Sequence, residues 1–181
     1  MFGFFKTLFS AKRLMREYED RNKAYLTMPH SGLKALTDNE LFSAVLARTE
    51  AKVDRFDDLI DGVRSLSDAE RTFYVASYYE AEVNNGGLCQ FFVNSSRVVA
   101  PLLSDCLSAI GAAEHRKLFE SFVTKNAINL SDLSSFMIGD ISDYQAQTKR
   151  YPFDEFDKAF YAMTPVQEYL VPYIREHLSG F

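Results

Sequence analysis

The chain has 181 residues, 47% of them apolar, and a formal net charge of −5. That length and apolar share suit one domain with a sizeable core and argue against wholesale disorder, while the acidic balance argues against a nucleic-acid binder, which carries a basic footprint. Two cysteines, Cys89 and Cys106, with no secretory signal, point to reduced thiols in a cytoplasmic protein, each serving as a small core hydrophobe.

The chain opens with Met1-Phe2-Gly3-Phe4-Phe5, followed by Lys12, Arg13 and Arg16. A secretory leader has the reverse order, charge before the apolar run, and no run approaches the ~20 apolar residues needed to span a bilayer. The segment reads as a basic amphipathic helix, covering residues 1–30 as a unit of its own, with Leu14, Tyr18, Arg21 and Tyr25 at helical spacing to about Thr27. Pro29 and Gly32 are expected to break it. Thr37-Asp38-Asn39-Glu40 is a capping box, in which Thr37 accepts from the Glu40 amide and Glu40 reaches back. Leu41, Val45, Leu46 and Thr49 follow on one face, and a further helix is expected to place Phe56, Leu59, Ile60 and Val63 on one stripe. Ser67-Asp68-Ala69-Glu70 is a second capping box, opening a helix with Phe73, Val75, Ala76 and Tyr79 that stops at Asn84-Asn85-Gly86-Gly87.

A short aromatic helix from Leu88 to Val93 then ends at Asn94-Ser95-Ser96. Pro101 suits the first turn of the next helix, whose face is Leu102, Leu103, Cys106, Leu107 and Ile110 and whose stop is Gly111. Glu114 to Val123 turns Leu118, Phe119 and Phe122 inward. Residues 126–151 are the least regular. Phe153, Phe156, Phe160 and Tyr161 mark a short helix, and Thr164-Pro165 leads into a last one with Val166, Tyr169, Leu170, Tyr173 and Ile174. No period-two alternation and no internal repeat occurs. The fold class expected is therefore all-α, a single compact multi-helix domain over residues 31–181 carrying the N-terminal amphipathic helix.

Chemistry is hard to place on this frame. His30, His115 and His177 lack metal-ligand spacing, no nucleophile stands beside a base, and no catalytic residue, metal or cofactor is expected. The densest polar text is Glu82, Asn84, Asn85, Gln90 and Asn94, grouped around the paired glycines. One reading is a polar ligand pocket, with the glycines admitting close backbone approach. The plainer reading is a buried network whose amides satisfy the helix ends.

The same text, Glu82, Asn84, Asn85, Gly86, Gly87, Gln90, Phe91, Phe92, Asn94, Ser95 and Ser96, together with Phe153-Asp154-Glu155-Phe156-Asp157-Lys158-Ala159-Phe160-Tyr161, resembles the bacterial DNA-mimic protein family, whose shared domain is otherwise of unknown function. The resemblance runs from about Glu70 to the end. It departs at Leu88-Cys89, where an aromatic and an acidic residue are expected, and at Arg97, where a glycine is common. It implies an all-helical fold, a homodimer and, for the characterised kind of member, an acidic surface that occupies the DNA-binding face of a transcription factor. The motif is a scaffold signature, so the acidic surface has to be found in the rest of the chain.

Glu50, Asp54, Asp57, Asp58 and Asp61 fall at i, i+4, i+7, i+8 and i+11, one stripe of a helix whose opposite face is Val53, Phe56, Leu59, Ile60 and Val63. Carboxylates one turn apart rise by ~6 Å, close to the ~7 Å phosphate step of a DNA strand. A carboxylate stripe is first of all a solvated helix face. It also suits a polyanion mimic facing a basic protein surface and, more remotely, a hard cation, although no calcium-loop motif is present. Six basic residues against three acidic ones give residues 1–30 a balance of +3, which leaves −8 on residues 31–181. The reading is a non-enzymatic interaction protein that contacts a DNA-binding protein or other basic surface through Glu50, Asp54, Asp57, Asp58 and Asp61, without binding nucleic acid itself. The alternatives are a small-ligand binder or enzyme at the paired-glycine segment, and an immunity-type inhibitor of a basic partner.

Overall fold

The computed structural model describes residues 16–17 and 19–181. Leu14, Tyr18 and most of the expected N-terminal amphipathic helix lie outside the described residues. Within them residues 19–27 are helical, and every regular element of the described chain is a helix: α1 (His30–Leu33), α2 (Asp38–Val53), α3 (Leu59–Ser65), α4 (Asp68–Val93), α5 (Ala100–Ala109), α6 (Ala113–Lys125), α7 (Ile141–Gln147), α8 (Phe153–Tyr161) and α9 (Gln167–Glu176), with short 3₁₀ turns at Ser95–Val99, Ser134–Phe136 and Leu178–Gly180. The all-α expectation holds.

Both capping boxes form. The Glu40 N–H donates to Thr37 Oγ1 at 3.4 Å while the Thr37 N–H donates to Glu40 Oε2 at 3.0 Å; Ser67 and Glu70 repeat the arrangement at 3.2 and 3.1 Å. Each satisfies two N–H groups that the helix start leaves unpaired. Glu70 is otherwise buried and also pairs with Lys52 of α2, tying the two helices at their ends. Pro29 ends the helix of residues 19–27 as expected, but Gly32 does not break the chain; it lies inside α1, where a Cβ would crowd the Met28 side chain.

The helix α4 is the axis of the domain, packing against α5, α8, α9 and the Ser95–Val99 turn. Its aromatic side chains fill the core. Tyr79 meets Phe91 and Phe160 edge to face, with ring centroids at 5.4 and 5.6 Å, and Phe92 stacks on Phe136 at 4.7 Å. Tyr79, Phe73, Phe91, Phe92, Phe119 and Phe136 are wholly buried, each stabilising the fold by roughly 1.5–3 kcal/mol of apolar transfer. Four of these rings lie on α4, Phe119 on α6 and Phe136, in the stretch read as least regular, on a 3₁₀ turn; all six belong to one contiguous core.

One expectation is corrected. The stretch 50–63 is not a single helix with a core face and a carboxylate face. Helix α2 ends at Val53, residues 54–58 turn, and α3 starts afresh at Leu59, capped by Asp58, whose Oδ1 accepts from the Ile60 N–H at 2.8 Å. Phe56, read as a core residue, is 44% exposed in the turn. The cause is close packing of the two helices: a Cβ on Gly62 would stand 2.8 Å from the Val53 carbonyl oxygen, so the chain doubles back at a distance only glycine permits.

Candidate functional site

The turn between α2 and α3 gathers the five carboxylates read from the sequence, but as a corner and not a straight stripe. Glu50 lies on the last turn of α2, Asp54 closes that helix, Asp57 and Asp58 occupy the turn, and Asp61 is in the first turn of α3. All five are exposed. Asp61 forms a loose pair with Arg64 at 3.4 Å, both side chains mostly in water, an arrangement of little energetic weight. Among the described residues no cation pairs with Glu50, Asp54, Asp57 or Asp58. Partial desolvation by the surrounding protein raises the Glu50 carboxyl above its ordinary value although the residue is exposed, and the neighbouring Asp54 adds to the shift. The regular ~6 Å rise of a helix therefore holds only from Glu50 to Asp54.

Glu50 also lines a groove between α2 and α4. Phe42, Leu46 and Glu50, four residues apart on α2, line it together with Tyr74, Ser77, Tyr78, Ala81 and Asn84 of α4 and Gln167 of α9, around a cavity of about 270 Å³. The Tyr74 and Tyr78 rings touch, their centroids 5.5 Å apart and tilted by 45°. Burial, then the charges of Tyr78, Glu50 and Asp54, keep the Tyr74 phenol protonated well past neutrality. Glu80 also lines the groove, yet its carboxylate is already engaged. Its oxygens accept from the Val166 N–H at 2.6 Å and the Gln167 N–H at 2.9 Å, capping α9 from another helix. Burial nevertheless pushes its pKa up.

The paired-glycine segment is built differently. Helix α4 loses helical geometry at Gly86 (φ −160°, ψ 26°) and Gly87 (φ 75°, ψ 177°) and then resumes, so the expected stop and the expected aromatic helix are both present. Glu82, about one turn before the break, bridges it. Its Oε2 accepts from Gln90 Nε2 at 2.8 Å and from Asn94 Nδ2 at 2.9 Å. Asn84 and Asn85 are exposed and outside this set; Asn84 faces the groove instead. Three of the five residues read as a polar pocket are thus joined to one another by hydrogen bonds, and two are not among them. Ser96 Oγ donates to the Phe91 carbonyl at 2.8 Å, closing the segment's end.

Sequence reading missed what the α8 side brings. Asp157 Oδ1 accepts from the Leu88 N–H at 2.8 Å, capping the resumed helix at the break, and the Tyr161 hydroxyl donates to the Val83 carbonyl at 2.7 Å just before it. The two text segments that carry the resemblance therefore meet in space, and Asp157, 69 residues from Leu88, could not be paired with it by spacing. Burial raises Asp157's carboxyl, partly offset by the Leu88 bond. Burial and the Asp157 charge in turn push the Cys89 thiol up to about 11, far from the thiolate a nucleophile needs. Cys106, also buried, is held at about 11 by its burial. His115 is buried with Nε2 2.8 Å from the Thr164 carbonyl oxygen. Among the described residues no group of His, Cys, Asp and Glu is arranged to hold a metal ion, and no helix is long and apolar enough to cross a membrane.

Comparison with known proteins adds one match. A family model described as DMP19-like protein matches residues 64–177. That span holds the paired-glycine segment and α8, and it begins after the carboxylate corner. No curated protein matches the chain, and no solved structure does.

Proposed function

The chain belongs to the DMP19-like protein family, a family of DNA-mimic proteins, and from that premise we propose that it works without catalysis, presenting the carboxylates of the α2–α3 corner to the basic DNA-reading surface of a DNA-binding protein such as a transcription factor. The observation that carries this reading is the corner itself. Glu50, Asp54, Asp57 and Asp58 are exposed, adjacent in the chain and free of cationic partners among the described residues. Arg55 shares the turn and Lys52 and Arg64 flank it, but the carboxylates outnumber these cations; carboxylates gathered at one exposed turn attract basic side chains as backbone phosphates do. The family match begins at residue 64, so the matched span and the proposed contact surface are separate parts of the chain.

Membership in the family also leads us to propose a homodimer, which sedimentation at micromolar concentration checks directly. The pocket reading at the paired glycines is the weaker one, because Glu82 already spends its acceptor on Gln90 and Asn94. An immunity-type role would use the same corner on a different basic partner.

The test is competition. The purified chain, immobilised and offered extract from its source cell, is expected to retain a DNA-binding protein at low salt, release it as salt rises, and release it to added duplex DNA. Changing Asp54, Asp57, Asp58 and Asp61 together to Asn is expected to abolish retention while leaving the fold intact, since Asn still caps α3 at position 58. Retention that survives this change, or that duplex DNA does not displace, removes the mimicry reading.

A further inference from the structure

The groove beside the corner is not a carboxylate surface alone. Its walls are aromatic and aliphatic, from Phe42 and Leu46 on α2 and Tyr74 and Tyr78 on α4, and the exposed Glu50 carboxylate lines it as well. Its cavity of about 270 Å³ lies just below the ~300–1,000 Å³ of small-molecule sites, a size that suits one long side chain. A purely apolar side chain would leave Glu50 without a counter-charge beside Asp54. A lysine ammonium would meet Glu50 as a point charge and gain less from the rings. A guanidinium is planar and weakly hydrated, stacks on aromatic faces, and offers a carboxylate two parallel N–H donors.

Resting on the reading above that the partner is basic, we propose that this groove takes one arginine side chain of the partner, its stem along Phe42 and Leu46, its guanidinium against Tyr78 and paired with Glu50. Glu80 lies too deep and too fully engaged with Val166 and Gln167 to act as the second carboxylate; Asp54, one turn from Glu50, supplies the remaining negative charge. The groove thus converts a diffuse acidic corner into a fixed point of register. The corner steers and the groove positions, as phosphate contacts and a base contact do on DNA.

The probe is N-acetyl-arginine amide, titrated into the full chain and followed by amide and aromatic NMR shifts. Perturbations are expected at Phe42, Leu46, Tyr74 and Tyr78, absent with the uncharged citrulline analogue and smaller with the lysine analogue. Glu50→Gln is expected to weaken binding by about tenfold, the loss of one charge-assisted contact, and Tyr78→Ala to abolish the arginine preference over lysine. Asp105→Asn, exposed on α5 and outside both the groove and the corner, is expected to leave the titration unchanged, and a native-like spectrum of each variant shows that the fold is kept. Citrulline binding as well as arginine, lysine binding better, or an unperturbed groove overturns the inference. The titration contains no partner, so a silent groove leaves the mimicry reading standing, whereas a partner that ignores the corner variants removes that reading whatever the groove binds.

Discussion

Gly87 shows how much a single position can be asked to do. Its φ of 75° with ψ of 177° belongs to a region open essentially to glycine, at a cost of about 1–3 kcal/mol for any other residue. A Cβ there would also collide with the Asp157 carboxylate that caps Leu88. Gly87→Ala is therefore expected to lower stability by roughly 2–4 kcal/mol, strain and lost cap together, read as a drop in the urea midpoint. Gly111 is the control. It shares a positive φ of 77°, but a Cβ would meet nothing within 4 Å, so Gly111→Ala is expected to cost only the left-handed backbone penalty of about 1–2 kcal/mol. Glu50 makes a prediction of a different kind. Partial desolvation, with Asp54 adding to it, raises its carboxyl, so the folded state holds that proton more tightly than the unfolded chain. Its contribution to stability is complete below the ordinary carboxylate pKa and is lost as pH rises through the raised value. Glu50→Gln removes the titration, so the variant should gain on the parent between acid and neutral pH; parallel pH profiles would contradict the assignment.

At the level of elements, the junction in α4 is held from both sides: Glu82 clamps across the break to Gln90 and Asn94, and Asp157 caps the helix that resumes. Asp157→Ala is expected to cost about 0.5–2 kcal/mol, the worth of a cap, and to speed amide hydrogen exchange across Leu88–Val93 more than across the first half of α4. Asp157→Asn keeps an acceptor and should recover most of the loss. Uniform acceleration along α4 would mean that the cap has no local role. This junction also shows what was legible in advance. The capping boxes at Thr37 and Ser67 and the stop at Gly86-Gly87 were readable because each is a local transaction among neighbours in the chain. The α2–α3 corner was not, because Val53, Phe56, Ile60 and Val63 satisfy a helical period that the fold does not use. The decisive facts there are the approach of Gly62 to Val53 and the Asp58 cap. Asp58 and Gly62 were visible as residue types, but only tertiary packing turns them into a helix break.

Across the whole molecule, the question is whether partner binding depends on how much charge the chain carries or on where it sits. The signature text from Glu82 to Ser96 and from Phe153 to Tyr161 was legible in the sequence, and its two halves meet at Asp157 and Leu88; the groove drawing Phe42, Glu50, Tyr78 and Gln167 together was not legible, since it joins three helices far apart in the chain. Net charge acts as a long-range field that salt screens over ~10 Å at 0.1 M, whereas a mimic depends on the local array. Two variants separate the cases. Neutralising Asp54, Asp57, Asp58 and Asp61 takes the formal charge from −5 to −1, and so does neutralising Asp105, Glu114, Glu155 and Glu176, which are exposed but scattered over other helices. If the corner is the contact, the first variant should lose partner binding together with most of its salt dependence, and the second should bind with a slower, still salt-sensitive association rate. Equal losses in the two would show that the field alone attracts the partner, and the corner would then be no more than part of an acidic surface.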